Sequence, residues 1–307
     1  MFSHQNKPLE VEEPVAEMAQ SSADIRIIGD RAAGKTTYLA SLARWSNASP
    51  LSPVQEITAV NEEGEELISK AQNILELGSE LEPSVLEAGA STIKDYSLSI
   101  TFKSSFSLKN PRTNLASSET KLNLSCKEYA GEFFSHLLHQ PNSDQFQSYL
   151  EDCLRATGIL FLVDGCSRQD DEHAKSLEQF LKVWRQAHSQ AENRRIALVL
   201  TKCEQPDLWD KRHQPKRLTS ARFPQVYAKL QAWHHSKAGS VEYFTTAAFG
   251  MVATDRRFPE PNSKQLTRSQ GGLMSVLKNP KHWRPFGLVA PIYWLSTGKR
   301  HKQLDED

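Results

Sequence analysis

The strongest chemical signal lies in residues 29–36, whose sequence is Gly-Asp-Arg-Ala-Ala-Gly-Lys-Thr. It fits G-x-x-x-x-G-K-[ST], a loop whose main-chain N–H groups surround a phosphate at a helix N-terminus. An apolar run precedes it at 25–28 and a helix-like run follows at 37–45, the context that this pattern requires. We expect Lys35 to contact the β- and γ-phosphates and Thr36 to bind Mg²⁺. The residues expected around the nucleotide phosphates are Gly29, Asp30, Arg31, Ala32, Ala33, Gly34, Lys35, Thr36 and Thr37.

A magnesium ion at such a loop also needs a carboxylate from the end of a second strand. Two acids compete for this role. Asp164 ends the most apolar run of the chain, residues 158–163, as the acid of a generic ATPase does. Glu128 ends an alternating run and is followed, three residues later, by Gly131, whose backbone N–H could approach a γ-phosphate. We assign Glu128 to the metal and keep Asp164 as the alternative.

The order of five short elements resembles that of GTPases in the translation-factor and Ras-like superclass. After the phosphate loop come Thr92, the run 128–131 (Glu-Tyr-Ala-Gly, for D-x-x-G), the run 201–204 (Thr-Lys-Cys-Glu, for N-K-x-D) and the run 245–247 (Thr-Thr-Ala, for the S-A-K-type loop). The likeness covers about residues 24–250. The long excursion after the first helix and the Trp- and Pro-rich end look more like bacterial double-GTPase-type, conflict-system GTPases.

This resemblance implies roles for the residues that match its motifs. Glu204 would accept hydrogen bonds from guanine N1–H and N2–H₂, a donor pair that adenine lacks. Lys202 would cover the base, and Thr201 would tie its loop to the phosphate loop. The remaining residues implied at the nucleotide are Thr246 and Ala247 at the base, Gly131 at the γ-phosphate and Thr92 as a further metal ligand.

Three departures from the family pattern bear on catalysis. Glutamate replaces aspartate at 128 and at 204, which adds a methylene to both acidic positions. Glu132 stands where the related enzymes have a water-orienting glutamine, so hydrolysis is expected to be slow. Arg31 could stabilise transition-state charge as an arginine finger does, or it could face solvent or pair with an acid. The predicted catalytic residues are therefore Lys35, Glu132 and Arg31.

Alternating strand-like and helix-like runs after a phosphate loop predict an α/β, three-layer P-loop NTPase fold with a mainly parallel sheet and one antiparallel edge strand. We expect a disordered lead at 1–23, one domain at 24–300 and a tail at 301–307. Within the domain, 47–95 is a long insertion with a helix at 62–77, 206–221 is loop-like and 250–285 is irregular. The alternating runs 96–102 and 122–126 are expected to pair antiparallel.

Composition sets the remaining limits. Lysine plus arginine equals aspartate plus glutamate at 37 each, so no bulk charge points to nucleic acid. The four cysteines lack metal-ligand spacing, and neither a signal peptide nor a transmembrane run is seen, so a cytoplasmic location is expected. The aromatic segment 283–295 could pack on the sheet as a last helix, dock a protein or make a shallow membrane contact.

The sequence thus predicts a GTP-binding switch that hydrolyses GTP slowly with Mg²⁺ and works with a protein partner. Two alternatives stay open. The chain could be a nucleotide-binding scaffold with little turnover that presents its basic C-terminal half to a partner. It could also be an ATPase that uses Asp164 as its metal acid.

Overall fold

A seven-stranded sheet organises the chain in this computed structural model, which describes residues 20–45, 52–79, 95–103, 120–128, 144–186, 194–252, 259–267 and 273–306. The strands of these ranges are β1 (Gln20–Gly29), β2 (Val54–Ala59), β3 (Asp95–Phe102), β4 (Thr120–Glu128), β5 (Gly158–Asp164), β6 (Arg195–Thr201), β7 (Ser240–Thr245), β8 (Met251–Val252), β9 (Glu260–Pro261), β10 (Ser263–Thr267) and β11 (Leu273–Leu277). The helices are α1 (Lys35–Ala43), α2 (Glu62–Leu77), α3 (Asp144–Arg155), α4 (Asp170–Gln186), α5 (Pro206–Trp209), α6 (Pro215–Arg222), α7 (Pro224–His235), α8 (Val289–Thr297) and α9 (Lys302–Glu306). A short 3₁₀ turn lies at Pro280–His282.

The sheet order is β2-β3-β4-β1-β5-β6-β7. Strands β4, β1, β5, β6 and β7 are parallel, while β3 is antiparallel to both β2 and β4. The predicted fold class is confirmed, as is the antiparallel pairing of the runs near 96–102 and 122–126. The strand that runs against the others is β3, second from the edge, and the edge strand β2 was not predicted.

Two hydrophobic cores cover the two faces of the sheet and make the three layers. On one face α1, α2 and α8 pack on Ile25, Ile27, Leu160 and Leu162. On the other face α3, α4 and α7 pack on alternate residues of the same strands, including Phe161 and Leu198. Both faces are apolar, so the inner strands are continuous apolar runs rather than alternating ones. The carboxyl ends of β1, β5, β6 and β7 therefore meet at one edge, where the ligand of such a sheet binds.

Several element bounds differ from the sequence-based expectation. Strand β1 begins at Gln20, within the lead at 1–23 that was expected to be disordered, because Gln20–Ala23 pair with Lys121–Leu124 of β4. The stretch 206–221 is not a loop, since it holds α5 and most of α6. The segment 250–285, predicted to be irregular, contains two short antiparallel pairs, β8–β9 and β10–β11. Residues 104–119, between β3 and β4, lie outside the described residues.

The aromatic C-terminal segment forms α8 and the turn before it. Trp283, Leu288, Ile292, Trp294 and Leu295 are all buried, and α8 packs on β1, β5 and β6. The first of the three alternatives, a last helix packed on the sheet, is what the structure has. None of the helices in the described ranges is both long and apolar enough to span a bilayer.

Candidate functional site

The phosphate loop is a tight turn between β1 and α1. Ala33 N–H donates to Asp30 O (3.2 Å), and the loop passes through positive φ at Ala32 (62°) and Gly34 (84°). Gly34 is the N-cap of α1, so the helix N-terminus opens directly into the loop. A Cβ on Gly29 would lie 2.4 Å from the carbonyl oxygen of Leu162, so only glycine permits β1 to lie this close to β5.

Lys35 lies folded along this loop, with its side chain only 8% exposed. Its Nζ donates to the carbonyl oxygens of Gly29 (3.0 Å) and Asp30 (3.1 Å). These contacts hold one positive charge beside the loop amides, which is the electrostatic setting for a phosphate group. Thr36 and Thr37 follow in the first turn of α1 and are half-buried. The Arg31 side chain is exposed.

Asp30 ties the loop to α4. Its Oδ1 accepts the N–H of Arg31 (2.7 Å), and its Oδ2 lies 3.5 Å from Nε2 of His173. The contact with His173, helped by the Arg31 N–H, lowers the pKa of the Asp30 carboxyl. His173 was not predicted from the sequence, because a lone histidine on a helix carries no motif and the pair forms only when α4 packs on this face of the sheet.

The base-side loop follows β6 and is joined to the phosphate loop. The hydroxyl of Thr201 donates to Ala33 O (2.8 Å). Lys202 has a positive φ of 58°, and its Nζ lies 2.6 Å from Oδ2 of Asp164. Asp164 also accepts the N–H of Cys166 through Oδ1 (2.9 Å). Both carboxylate oxygens of Asp164 therefore have partners within the chain.

Glu204 is the most unusual side chain of this region. It is only 2% exposed, and its Oε2 has no hydrogen-bond partner among the described residues. Burial raises the pKa of its carboxyl to about 7, against an opposing effect of Lys202. A buried carboxylate oxygen without a donor is costly, so a ligand that supplies donors would relieve this cost.

The loop after β7 is pinned on several sides. The N–H of Thr246 donates to Leu200 O (2.8 Å), and the carbonyl oxygen of Thr246 accepts the N–H of Cys203 (3.0 Å). Ala247 N–H donates to Phe286 O, and Phe286 N–H donates to Ala247 O, both at 3.0 Å. Thr246 and Ala247 thus stand beside the base-side loop, with their amides bonded within the chain. Their contact with nucleotide stays a prediction.

Four predicted residues cannot be placed by their side chains. Thr92, Gly131 and Glu132 lie outside the described residues, and Glu128 is described only by its backbone. Glu128 ends β4 and is in register with Ile27 of β1, two residues before Gly29. Its main chain therefore lies next to the start of the phosphate loop. No cluster of three or more His, Cys, Asp or Glu side chains suited to a metal occurs among the described residues.

Comparison with known proteins gives one family. Residues 112–258 match the family model described as Double-GTPase 2. This segment contains β4, which ends at Glu128, the run 201–204 and the loop at 245–247, and it does not include the phosphate loop at 29–36. This part of the chain is therefore similar to the double-GTPase family that the order of motifs resembles, and the similarity supports GTP as the nucleotide. No curated protein matches the sequence.

Two solved structures are distantly similar to this chain. The SRb-GTP/SRX complex of the signal recognition particle receptor from Chaetomium thermophilum is 13% identical, with a TM-score of 0.36 over 76% of this chain and 94% of that chain. Sup35 complexed with GDP is 12% identical, with a TM-score of 0.31 over 78% of this chain and 40% of that chain. Both TM-scores lie below 0.5, too low for any comparison of sites.

Proposed function

We propose that this chain, whose residues 112–258 are similar to double-GTPases, is a P-loop GTPase that binds GTP with Mg²⁺, hydrolyses it slowly and acts as a switch toward a protein partner. The phosphate loop would hold the triphosphate through its amides and Lys35. Glu204 would select guanine. A cytoplasmic location is part of the proposal.

The main support for GTP binding is the buried carboxylate of Glu204. One of its oxygens lacks a partner within the described chain, and it stands three residues beyond Thr201, whose hydroxyl bonds to the phosphate loop. A base held over this loop by a nucleotide could present N1–H and N2–H₂ to the carboxylate. Guanine has this pair of donors, whereas adenine presents an acceptor at N1. The Glu204 carboxylate would thus account for a preference for guanine over adenine.

The residues at the other end of the nucleotide fit a hard cation. The Thr36 hydroxyl, in the first turn of α1, is an oxygen ligand of the kind Mg²⁺ takes. Glu128 ends the strand next to β1 and would hold a metal-bound water, and Thr92 would supply a further oxygen. Bound Mg²⁺ would neutralise charge that develops on the β- and γ-phosphate oxygens. Gly131 would approach the γ-phosphate through its N–H.

Slow hydrolysis follows from the groups near the γ-phosphate. Phosphoryl transfer to water depends on positioning and on charge stabilisation rather than on covalent chemistry. Lys35 would supply positive charge, and Glu132 would accept a hydrogen bond from the attacking water. A carboxylate at this place repels the γ-phosphate, so turnover should be slow without a partner. Arg31 is exposed, and its contribution of positive charge at the phosphate stays a prediction.

The alternatives differ in turnover and in metal acid. A scaffold without turnover would bind GTP through the same loop and Glu204. An ATPase would need Asp164 for its metal, but both oxygens of Asp164 already bond to Lys202 and to the N–H of Cys166. This arrangement favours Asp164 as a support of the base-side loop.

Two measurements on the purified protein distinguish the GTPase, the scaffold and the ATPase. Equilibrium titration with GTP and ATP in Mg²⁺ measures base preference, and multiple-turnover phosphate release measures hydrolysis. The proposal predicts GTP preference with slow phosphate release that Lys35→Ala abolishes. GTP binding with no release would favour the scaffold, and tighter ATP binding would favour the ATPase.

A further inference from the structure

Asp30 accepts three hydrogen bonds from other residues of the phosphate loop and so stabilises its conformation. Its carbonyl oxygen accepts from Ala33 N–H and from Lys35 Nζ, and its Oδ1 accepts from Arg31 N–H. A small rotation of Asp30 would therefore displace an amide and the ammonium together. The remaining oxygen, Oδ2, is directed away from the loop toward α4.

His173 meets that oxygen from the first turn of α4. Its Nε2 lies 3.5 Å from Oδ2, and the residue is only 4% exposed. The ring packs edge-on against Phe223 with centroids 6.2 Å apart, which restricts its rotation. Its Nδ1 is buried and has no partner in the part of the chain that the structure describes. Because an unpaired N–H is costly in the interior, the arrangement favours a proton on Nε2 that is donated to Asp30.

We propose that His173 is a positioning residue of the phosphate loop, which fixes Asp30 from α4 so that the Arg31 amide and the Lys35 ammonium stay in place for a triphosphate. This inference rests on the proposed function. An ionised carboxylate beside a triphosphate is repelled by it. Held by His173 on one oxygen and by Arg31 on the other, the Asp30 side chain resists displacement when the anion binds. Such tethering reduces the ordering that the loop must undergo on binding.

If His173 positions the phosphate loop, its substitution should change affinity for the phosphates of the ligand and leave affinity for the guanine base unchanged. We would titrate the full-length chain with GTP, with inorganic tripolyphosphate and with guanosine, each in the presence of Mg²⁺. His173→Leu should weaken GTP and tripolyphosphate alike by roughly tenfold, the scale of one hydrogen bond to a charged group. Guanosine binding should not change. His173→Gln, whose amide can still donate to Asp30, should recover most of the loss.

A double-substitution cycle tests the route through Asp30. In an Asp30→Ala background, His173→Leu should have no further effect on tripolyphosphate affinity, because its partner is gone. Ser176→Ala, at an equally buried polar side chain of α4, is the matched control and should leave the affinities for GTP and tripolyphosphate unchanged. Thermal unfolding of each variant verifies that the fold is intact. Should His173→Leu not fold, Asp30→Glu keeps the charge but moves the carboxylate by one methylene, and it should give a similar loss.

Three results would overturn the inference. The first is wild-type affinity for tripolyphosphate in folded His173→Leu, or in Asp30→Glu where His173→Leu does not fold. The second is a loss that adds fully to that of Asp30→Ala. The third is an equal loss of guanosine binding. If the wild-type chain binds neither GTP nor tripolyphosphate, the proposed function falls and this inference falls with it.

Discussion

The hydroxyl of Thr201, at the end of β6, donates a 2.8 Å hydrogen bond to the carbonyl oxygen of Ala33, in the phosphate loop. The same hydroxyl lies 3.3 Å from the carbonyl oxygen of Val163 in β5. Thr201 is buried, so these contacts are shielded from water. One side chain therefore connects the loop that would bind phosphates to the loop that carries Glu204.

Removing this connection should weaken nucleotide binding more than stability. Thr201→Val keeps the volume and branching but lacks the donor, and Thr201→Ser keeps the donor. We expect Thr201→Val to lower the free energy of unfolding by about 1 kcal/mol and GTP affinity by roughly tenfold. Thermal unfolding and calorimetric titration measure the two effects. Equal GTP affinity in both variants would show that the link between the loops does not matter for binding.

Glu204 should make GTP affinity depend on pH. Burial raises the pKa of its carboxyl to about 7 from an ordinary 4.5. Only the ionised carboxylate accepts from both guanine donors, so affinity should fall by roughly tenfold as the pH falls from 8 to 6. The γ-phosphate also titrates in this range, so Glu204→Gln is the control, and its pH profile should be the flatter of the two. Parallel profiles in wild type and variant would contradict the assignment.

Ionisation of Glu204 should lower the stability of the fold, whereas it raises GTP affinity. A raised folded-state pKa means that this carboxyl favours the fold at low pH, and that this contribution is lost as the pH rises through 4.5 toward 7. Without nucleotide, Glu204→Gln should therefore gain stability relative to wild type as the pH rises across this window. Chemical unfolding at a series of pH values measures the difference.

Two glycines of the phosphate loop should respond differently to alanine. A Cβ on Gly29 would lie 2.4 Å from backbone of β5, so Gly29→Ala should separate two strands and cost about 2–3 kcal/mol. A Cβ on Gly34 has space, with Thr201 Oγ1 3.9 Å away, but its φ of 84° strains any other residue by about 1 kcal/mol. Urea unfolding compares the two. A smaller loss for Gly29→Ala than for Gly34→Ala would contradict the close approach of β1 and β5.

The metal acid can be assigned by comparing two substitutions. Glu128→Ala should remove most of the Mg²⁺ dependence of GTP binding, since Glu128 would hold a metal-bound water. Asp164→Ala should retain that dependence and instead weaken binding of the nucleoside part, because it releases Lys202. Titrations of GTP with and without Mg²⁺ measure both effects. Loss of Mg²⁺ dependence in Asp164→Ala alone would show that our assignment is wrong.

The inner half of the sheet could be predicted closely from sequence. Strands β5 and β6 are buried on both faces, so each is a continuous apolar run whose limits are visible. The edge strand β2 was missed because three of its six residues, Gln55, Glu56 and Thr58, are polar and because its register shifts between Val54 and Glu56. The short helices α5 and α6 were missed because each begins at a proline in a polar stretch.

Some residues of the candidate site could also be predicted from sequence, and others could not. Lys35, Thr201 and Glu204 follow from motifs at the carboxyl ends of parallel strands, which the topology brings to one edge. The contact of His173 with Asp30 could not be predicted, since it depends on how α4 packs on the sheet. The bond between Ala247 and Phe286 depends likewise on where the C-terminal segment returns to the sheet.

Titration of the wild-type chain with GTP, inosine triphosphate and ATP in Mg²⁺ directly tests whether Glu204 selects guanine. Inosine triphosphate lacks only the 2-amino group, and ATP lacks both donors that Glu204 would accept. We expect affinity to decrease in the order GTP, inosine triphosphate, ATP, with at least about a hundredfold between the first and the last. Glu204→Gln should compress this range, and Lys35→Ala should abolish binding of all three. ATP affinity equal to that for GTP, or unchanged binding in Lys35→Ala, would contradict the proposed function.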